Sequence, residues 1–225
     1  MNYNFTPNIS IIGKINNQYT ISDFEKEIGV YSATPEFIKK NCGKISNLIL
    51  DKIPTWYYEE AKKLNLFPNC DVRIHRLYPG DFPAYPGWHC DGEYRETYFS
   101  QPDLNRIKVS KHIICTLSTD ENGISNSQFL DEPFSFETSI ESQDFPLWQQ
   151  IDAIIDKKPS KKILDTFDGE LYLFDSLTLH RVMPAKIRGW RLFFRMSMWH
   201  KPNLGNGGMI TKQEQIYKYI GKNGW

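Results

Sequence analysis

The chain has 225 residues, 27 basic and 27 acidic side chains, and a formal net charge of zero. With 40% hydrophobic and 14% aromatic residues it can bury a core as one large domain and falls outside the composition of disordered chains. The neutral balance gives no support to a nucleic-acid or membrane partner. Cys42, Cys70, Cys90 and Cys115 form no C-x-x-C pair of a zinc knuckle or disulfide framework.

The opening residues "MNYNFTPNIS" lack the basic flank and apolar run of a signal peptide, and no apolar run is long enough to span a bilayer. The expectation is a cytoplasmic protein with free thiols. From Thr20 to about Phe67 the pattern is helical. Thr20 with Asp23 reads as a capping box. Ile45, Leu48, Ile49 and Lys52 fall at helical spacing, and Pro54 stands where a first-turn proline opens "TWYYEEAKKLNLF". Residues 1–69 are therefore expected to form a helical part that packs on the body behind it.

From Cys70 the pattern changes to short strands between turns. The candidates are "DVRIHRLY", "AYPGWHCD", "KHIICTL", "NSQFLD", "FSFET", "GELYLFD", "TLHRVMPA" and "RLFFRMSMW". They predict a mainly β fold with N-terminal helices, its core over residues 70–200 a two-sheet jelly roll. A helical insert near 145–157 places Trp148, Ile151, Ile154 and Ile155 on one apolar face, read as packing. The tail 201–225 begins in a glycine-rich turn and ends in a short amphipathic segment. It either folds back or pairs with a second subunit, and oligomeric state stays open. No Pro/Gly/Ser linker separates these parts, so residues 1–225 are read as one domain.

Within "YPGWHCDGEY", His89 and Asp91 stand two apart. On a strand, such side chains leave the same face roughly 6–7 Å apart, close enough to share a metal, while Cys90 points away. An isolated H-x-D is common by chance. A third candidate, His180, follows the buried-looking strand "LYLF" and the turn "DSL". His75, His112 and His200 have no comparable setting. Two imidazoles and a carboxylate on one side of a metal leave positions open, which suits Fe(II). The carboxylate of Asp91 fills the position a halide would need, which argues against halogenation. In the last strand, alternation sends Arg191, Phe193, Arg195 and Ser197 to one face. Two arginines on an otherwise apolar strand are costly to bury unless an anion pairs with them.

Together the H-x-D at 89–91, His180 within "GELYLFDSLTLHRV" and the R-x-S at Arg195–Ser197 resemble the Fe(II)/2-oxoglutarate-dependent dioxygenases, over about residues 72–199. The resemblance implies a double-stranded β-helix (jelly-roll, cupin-like) core and Fe(II) held by His89, Asp91 and His180. It also implies 2-oxoglutarate as cosubstrate, O2 as oxidant, and succinate and CO2 as coproducts. Arg195 would then grip the distal carboxylate of 2-oxoglutarate, with Ser197 assisting. Arg191, about 13 Å away along the strand, would hold the near end of the cosubstrate or the substrate. Tyr78 in "LYPG" is a candidate hydrogen-bond donor to 2-oxoglutarate. If it faces inward, so do Arg76 and Ile74. The long connection after Asp91 is the natural lid, with Trp88, Tyr94, Arg95 and Arg106 as candidate substrate contacts. Gln128 could present its amide inward. Abundant polar lid residues favour a small polar substrate such as an amino acid or natural-product intermediate. The alternatives are a cupin-like metalloenzyme that does not use 2-oxoglutarate and a non-catalytic jelly-roll binding module.

Overall fold

A computed structural model describes residues 2–16, 19–94, 102–107, 109–137, 147–200 and 217–218. The chain opens on two strands, β1 (Asn2–Phe5) and β2 (Ile9–Lys14), then runs through α1 (Ile21–Lys26), β3 (Val30–Ala33), α2 (Pro35–Asn41), α3 (Lys44–Leu50) and α4 (Thr55–Lys63). The β-rich part follows: β4 (Phe67–Leu77), β5 (Asp81–Phe82), β6 (Glu93–Tyr94), β7 (Asp103–Ile107), β8 (Val109–Ser118), β9 (Ser127–Leu130) and β10 (Phe134–Glu137). The remainder comprises α5 (Leu147–Lys157), β11 (Ile163–Asp165), β12 (Glu170–Asp175), β13 (His180–Val182), β14 (Gly189–Trp199) and β15 (Tyr217–Lys218). The fold is mostly β, with antiparallel pairing throughout its described sheets.

The largest sheet has the order β2-β12-β8-β14-β4-β3, and a smaller one the order β11-β9-β13. Along β14, Leu192, Phe194, Met196 and Met198 are fully buried against a core that includes Ile45, Ile49 and Tyr57 of the helical part. Each such side chain contributes about 1.5–3 kcal/mol by leaving water. That anchoring frees the opposite face of the sheet for Arg191, Phe193 and Arg195, which line a cavity. Phe129 of β9 packs with Ile114, Tyr172 and Phe174 of the large sheet. A separate cluster joins Trp88 and Leu179 to α5 and β10.

Several sequence expectations are refined. The capping box at Thr20 and Asp23 is present in both directions. Pro54 is the residue before α4 rather than a first-turn residue. The helical part also carries strands: β2 pairs with β12 and β3 with β4, so both outer strands of the large sheet come from before Cys70. In α5, Leu147, Ile151 and Ile155 form the buried stripe, whereas Ile154 is 45% exposed. In the tail, Tyr217–Lys218 pairs with β5, and the rest of 201–225 lies outside the described residues.

Candidate functional site

The segment around His89 is not the strand its sequence suggests. Pro83 and Pro86 lack the N–H a ladder needs, and only one isolated bridge forms, between His89 and His180. In it the two residues exchange both backbone bonds, His89 N–H to His180 O at 3.0 Å and His180 N–H to His89 O at 2.8 Å. This doubly bonded antiparallel pair fixes two segments ninety residues apart side by side. The loop is also held from α5, where Asp152 accepts from Trp88 N–H at 2.8 Å. As a result His89, Asp91 and His180 each present a ligand-capable atom, all within 4.8 Å of one another.

Hydrogen bonds set how the rings face. Nδ1 of His89 donates to Gly87 O at 2.7 Å, and Nδ1 of His180 donates to Thr178 O at 3.0 Å. A carbonyl oxygen only accepts, so each Nδ1 carries the proton and each Nε2 keeps its lone pair for the centre of the cluster. Burial, with help from His180, pushes His89 down to about 4, so its ring is neutral near neutral pH. Burial alone would raise Asp91, but the Arg195 guanidinium and then His180 hold its carboxyl well below the usual range. Tyr85 stands edge-on to His89, and Phe129 and Phe174 flank His180. Tyr85 lines the same cavity as the three clustered side chains.

Arg195 does not stand at the far end of the pocket, the place expected of it. Arg195 donates through Nε and Nη2 to Asp71 Oδ2, at 3.0 and 2.6 Å, and through Nη1 to Asp91. It therefore sits at the metal-candidate end, occupied by two carboxylates, and not at the far end of the pocket. Asp71 lies directly across the ladder from Arg195 and also accepts from Ser32 N–H at 2.7 Å. Arg191 is buried and spends its Nε on Ser125 O at 2.9 Å. No carboxylate lies within ion-pair distance of it among the described residues. Burial lowers Arg191 to about 10, which leaves it charged. Both arginines line one cavity of about 440 Å³ together with His89, Asp91 and His180.

The other sequence candidates lie elsewhere. Ser197 is engaged with His112, its Oγ lying 2.8 Å from His112 Nδ1. Tyr78 lies beyond the end of β4, is 47% exposed and stacks under Arg188, outside the cavity. The register turns Arg73 and His75 into the cavity, while Arg76 is exposed and Ile74 joins the core. Trp88 is completely buried beneath the Arg181 guanidinium and packs in the second core. Tyr94 lies against Arg106, whose guanidinium sits 3.6 Å from its ring centre, and neither lines the cavity. Gln128 bonds to Asp165 and Arg181 on the outer side of β9, whereas its neighbour Ser127 faces in. Arg95 lies outside the described residues.

Sequence reasoning also passed over residues that belong here. His112 sits opposite Ser197 across the ladder. Its Nε2 donates to the backbone O of Asp91 at 3.4 Å, so its Nδ1 accepts from the Ser197 hydroxyl. Burial, with Arg195 nearby, pushes His112 down to about 3. The signal was its place in phase with Ile114 and Thr116 on the cavity side of β8, legible only once the sheet order is known.

No family model and no curated protein matches the chain. Among solved structures, EvdMO1 aligns over 74% of this chain and 35% of its own at 15% identity and a TM-score of 0.38. HygX from Streptomyces hygroscopicus with nickel and 2-oxoglutarate bound aligns over 93% of both chains at 12% identity and a TM-score of 0.35. An N-substituted L-amino acid dioxygenase from Burkholderia ambifaria AMMD aligns over 89% of this chain and 84% of its own, at 16% identity and a TM-score of 0.39. Across the first three alignments the chain spans 35%, 57% and 52% of the matched chains. These are distant likenesses of shape, and the functional reading below is built on the chain's own residues.

Proposed function

We propose that the chain is an Fe(II)- and 2-oxoglutarate-dependent oxygenase that oxidises a C–H bond of a small polar molecule, yielding succinate and CO2. The observation that carries this is one cavity holding both a two-imidazole, one-carboxylate cluster and a buried arginine, Arg191, that has no carboxylate in ion-pair contact among the described residues, its nearest acidic influence being the charge of Asp168. The donor set fits iron: two neutral rings with Nε2 presented and an ionised carboxylate, all on one side, are the ligand types of non-haem Fe(II) sites with open positions. Bound there with 2-oxoglutarate, the metal supplies oxygen activation coupled to decarboxylation of the 2-oxo acid.

The chain's own share is binding, orientation and exclusion of water. Arg191 is assigned the carboxylate of 2-oxoglutarate remote from the metal, because it lines the cavity with no acid in ion-pair contact among the described residues. Arg195 is assigned the orientation of Asp91, with Asp71 as the counter-charge that keeps it in place. His112 steadies the backbone of the same loop through the Asp91 carbonyl. The two facing sheets are read as the walls of a double-stranded β-helix within a single domain, residues 1–225, its core at 70–200. No described helix is long and apolar enough to cross a membrane, and the four free cysteines fit a reducing compartment such as the cytoplasm.

Aerobic incubation with Fe(II), ascorbate and 2-oxoglutarate should release succinate above the free-iron background. Arg191→Gln should raise the half-saturating 2-oxoglutarate concentration at least tenfold. Succinate at background in the parent protein would remove the 2-oxoglutarate reading. A cupin-like metalloenzyme on the same three ligands would then be favoured, since it has no use for Arg191.

A further inference from the structure

We infer that the cavity contains a second anion subsite, built on Arg73, and that the substrate of the proposed oxygenase reaction carries a carboxylate bound there. The inference rests on that oxygenase reading and deepens it by naming a substrate class.

Four arginines line the cavity: Arg73, Arg181, Arg191 and Arg195. Two of them are satisfied. Arg195 is held by Asp71 and Asp91. Arg181 donates to Gln128 at 2.9 Å and reaches Asp156 at 3.5 Å while lying over the Trp88 ring. Among the described residues Arg191 hydrogen-bonds only a backbone carbonyl, and it is assigned to the cosubstrate. Arg73 remains. It enters no ion pair and no hydrogen bond among the described residues, although its Nε is buried. Leaving a buried guanidinium N–H without an acceptor is costly, and the cost falls when an anion arrives.

Register places this charge apart from the other two. Across the β4–β14 ladder, Asp71 faces Arg195, Arg73 faces Phe193 and His75 faces Arg191. Arg73 thus stands midway, one strand repeat of roughly 6–7 Å from each neighbouring arginine level. Its charge and that of Arg191 oppose one another, and Arg73 is among the causes that hold Arg191 below its ordinary range. Of the two carboxylates of 2-oxoglutarate, one goes to the metal and one to Arg191. The anion for Arg73 must come from a second molecule. A single guanidinium fork matches a carboxylate in charge and in planar, bidentate geometry better than a doubly charged phosphate.

The test uses the full chain loaded with Mn(II) and saturating 2-oxoglutarate without oxygen, and acetate as the probe. Relaxation of the acetate methyl protons reports occupancy near the paramagnetic ion. Saturable relaxation is expected, with acetate binding at least tenfold weaker in Arg73→Gln and intermediate in Arg73→Lys. Affinity for 2-oxoglutarate, read from the absorbance of the Fe(II) complex, should change less than threefold in both variants. Acetate binding equally well to Arg73→Gln would place the probe on the metal and overturn the subsite, as would no saturable binding to the parent complex. A tenfold loss of 2-oxoglutarate affinity in Arg73→Gln would overturn it differently, making Arg73 part of the cosubstrate anchor. Arg73→Lys keeps the charge and guards against misfolding of the glutamine variant. If 2-oxoglutarate does not bind the parent protein, the oxygenase reading fails. Acetate relaxation with Mn(II) alone then still decides whether Arg73 holds an anion.

Discussion

Asp71→Asn tests how the site is held together, because it removes one charge and almost no volume. The Asp71 side chain is 8% exposed and that of Arg195 is 15% exposed. Asp71 accepts from Ser32 N–H at 2.7 Å and from Arg195 at 3.0 and 2.6 Å. Breaking a buried ion pair from one side costs about 3–5 kcal/mol. Here Arg195 keeps Asp91, and an amide oxygen still accepts from Ser32, so the expected loss is about 2 kcal/mol. For a chain of this size that lowers Tm by roughly 4–8 °C. The second effect is specific. With Asp71 neutral, Arg195 has only the Asp91 carboxylate as counter-charge and competes with a metal for it. Affinity for Co(II), measured by calorimetry, should weaken by about tenfold, the low end of the range for loss of a ligand's own partner, since Asp71 acts on Asp91 through Arg195. A lower Tm with unchanged Co(II) affinity would refute the positioning role of Asp71 and Arg195. An unchanged Tm would refute the buried pair itself.

Other perturbations reach the scaffold. Glu27 is buried and accepts from Gly43 N–H, Ile45 N–H, Ser46 N–H and Ser46 Oγ, capping α3, whose own N-cap Gly43 has no side chain to do so. Glu27→Ala should lower stability by about 3 kcal/mol in urea titrations, and Glu27→Gln by less, since stranded buried donors cost about 1–3 kcal/mol each. Gly169 has φ +82°, and a Cβ there would stand 2.7 Å from the backbone O of Ile15. Gly169→Ala should therefore cost about 2 kcal/mol or more by the same assay. Burial pushes Asp168 up to about 6, with Ser118 and Arg191 opposing the rise. The folded chain then holds that proton more tightly than the unfolded chain, whose carboxyl titrates near the ordinary aspartate value of about 4. The Asp168 contribution to stability should fall as pH rises from about 4 to about 6, by up to roughly 3 kcal/mol, against the opposite slope from His89 and His112, whose lowered values make the folded chain gain stability over the same range. Asp168→Asn should remove the falling contribution, and identical pH profiles for the two proteins would refute it.

The sequence made the three clustered side chains legible, because H-x-D and a distant histidine after a buried strand are local patterns. It misjudged what holds them. "AYPGWHCD" reads as one of the short strands between turns, yet Pro86 and the preceding Pro83 reduce it to one bridge, made by the chain's return at His180. The alternation of "RLFFRMSMW" was readable because its apolar face is unmixed. Both faces of "DVRIHRLY" carry polar groups, so its register was not readable from the chain alone. That ambiguity hid Asp71, Arg73 and His75, and the R-x-S resemblance places Arg195 at the far carboxylate without regard to Asp71, its neighbour across the ladder. His112 was missed for a related reason: its role depends on Ser197 across the ladder, a neighbour 85 positions away. β2 and β3 were missed because short outer strands carry weak alternation.

The most direct measurement is an anaerobic titration of the metal-free protein with Fe(II) and then 2-oxoglutarate, following visible absorbance, with His180→Ala and Arg191→Gln alongside. A charge-transfer band that requires both additions is expected. It should be absent in His180→Ala and need at least tenfold more 2-oxoglutarate in Arg191→Gln. Iron bound with no band at any 2-oxoglutarate concentration, or a band unaffected by both substitutions, would contradict the assignment of this cavity.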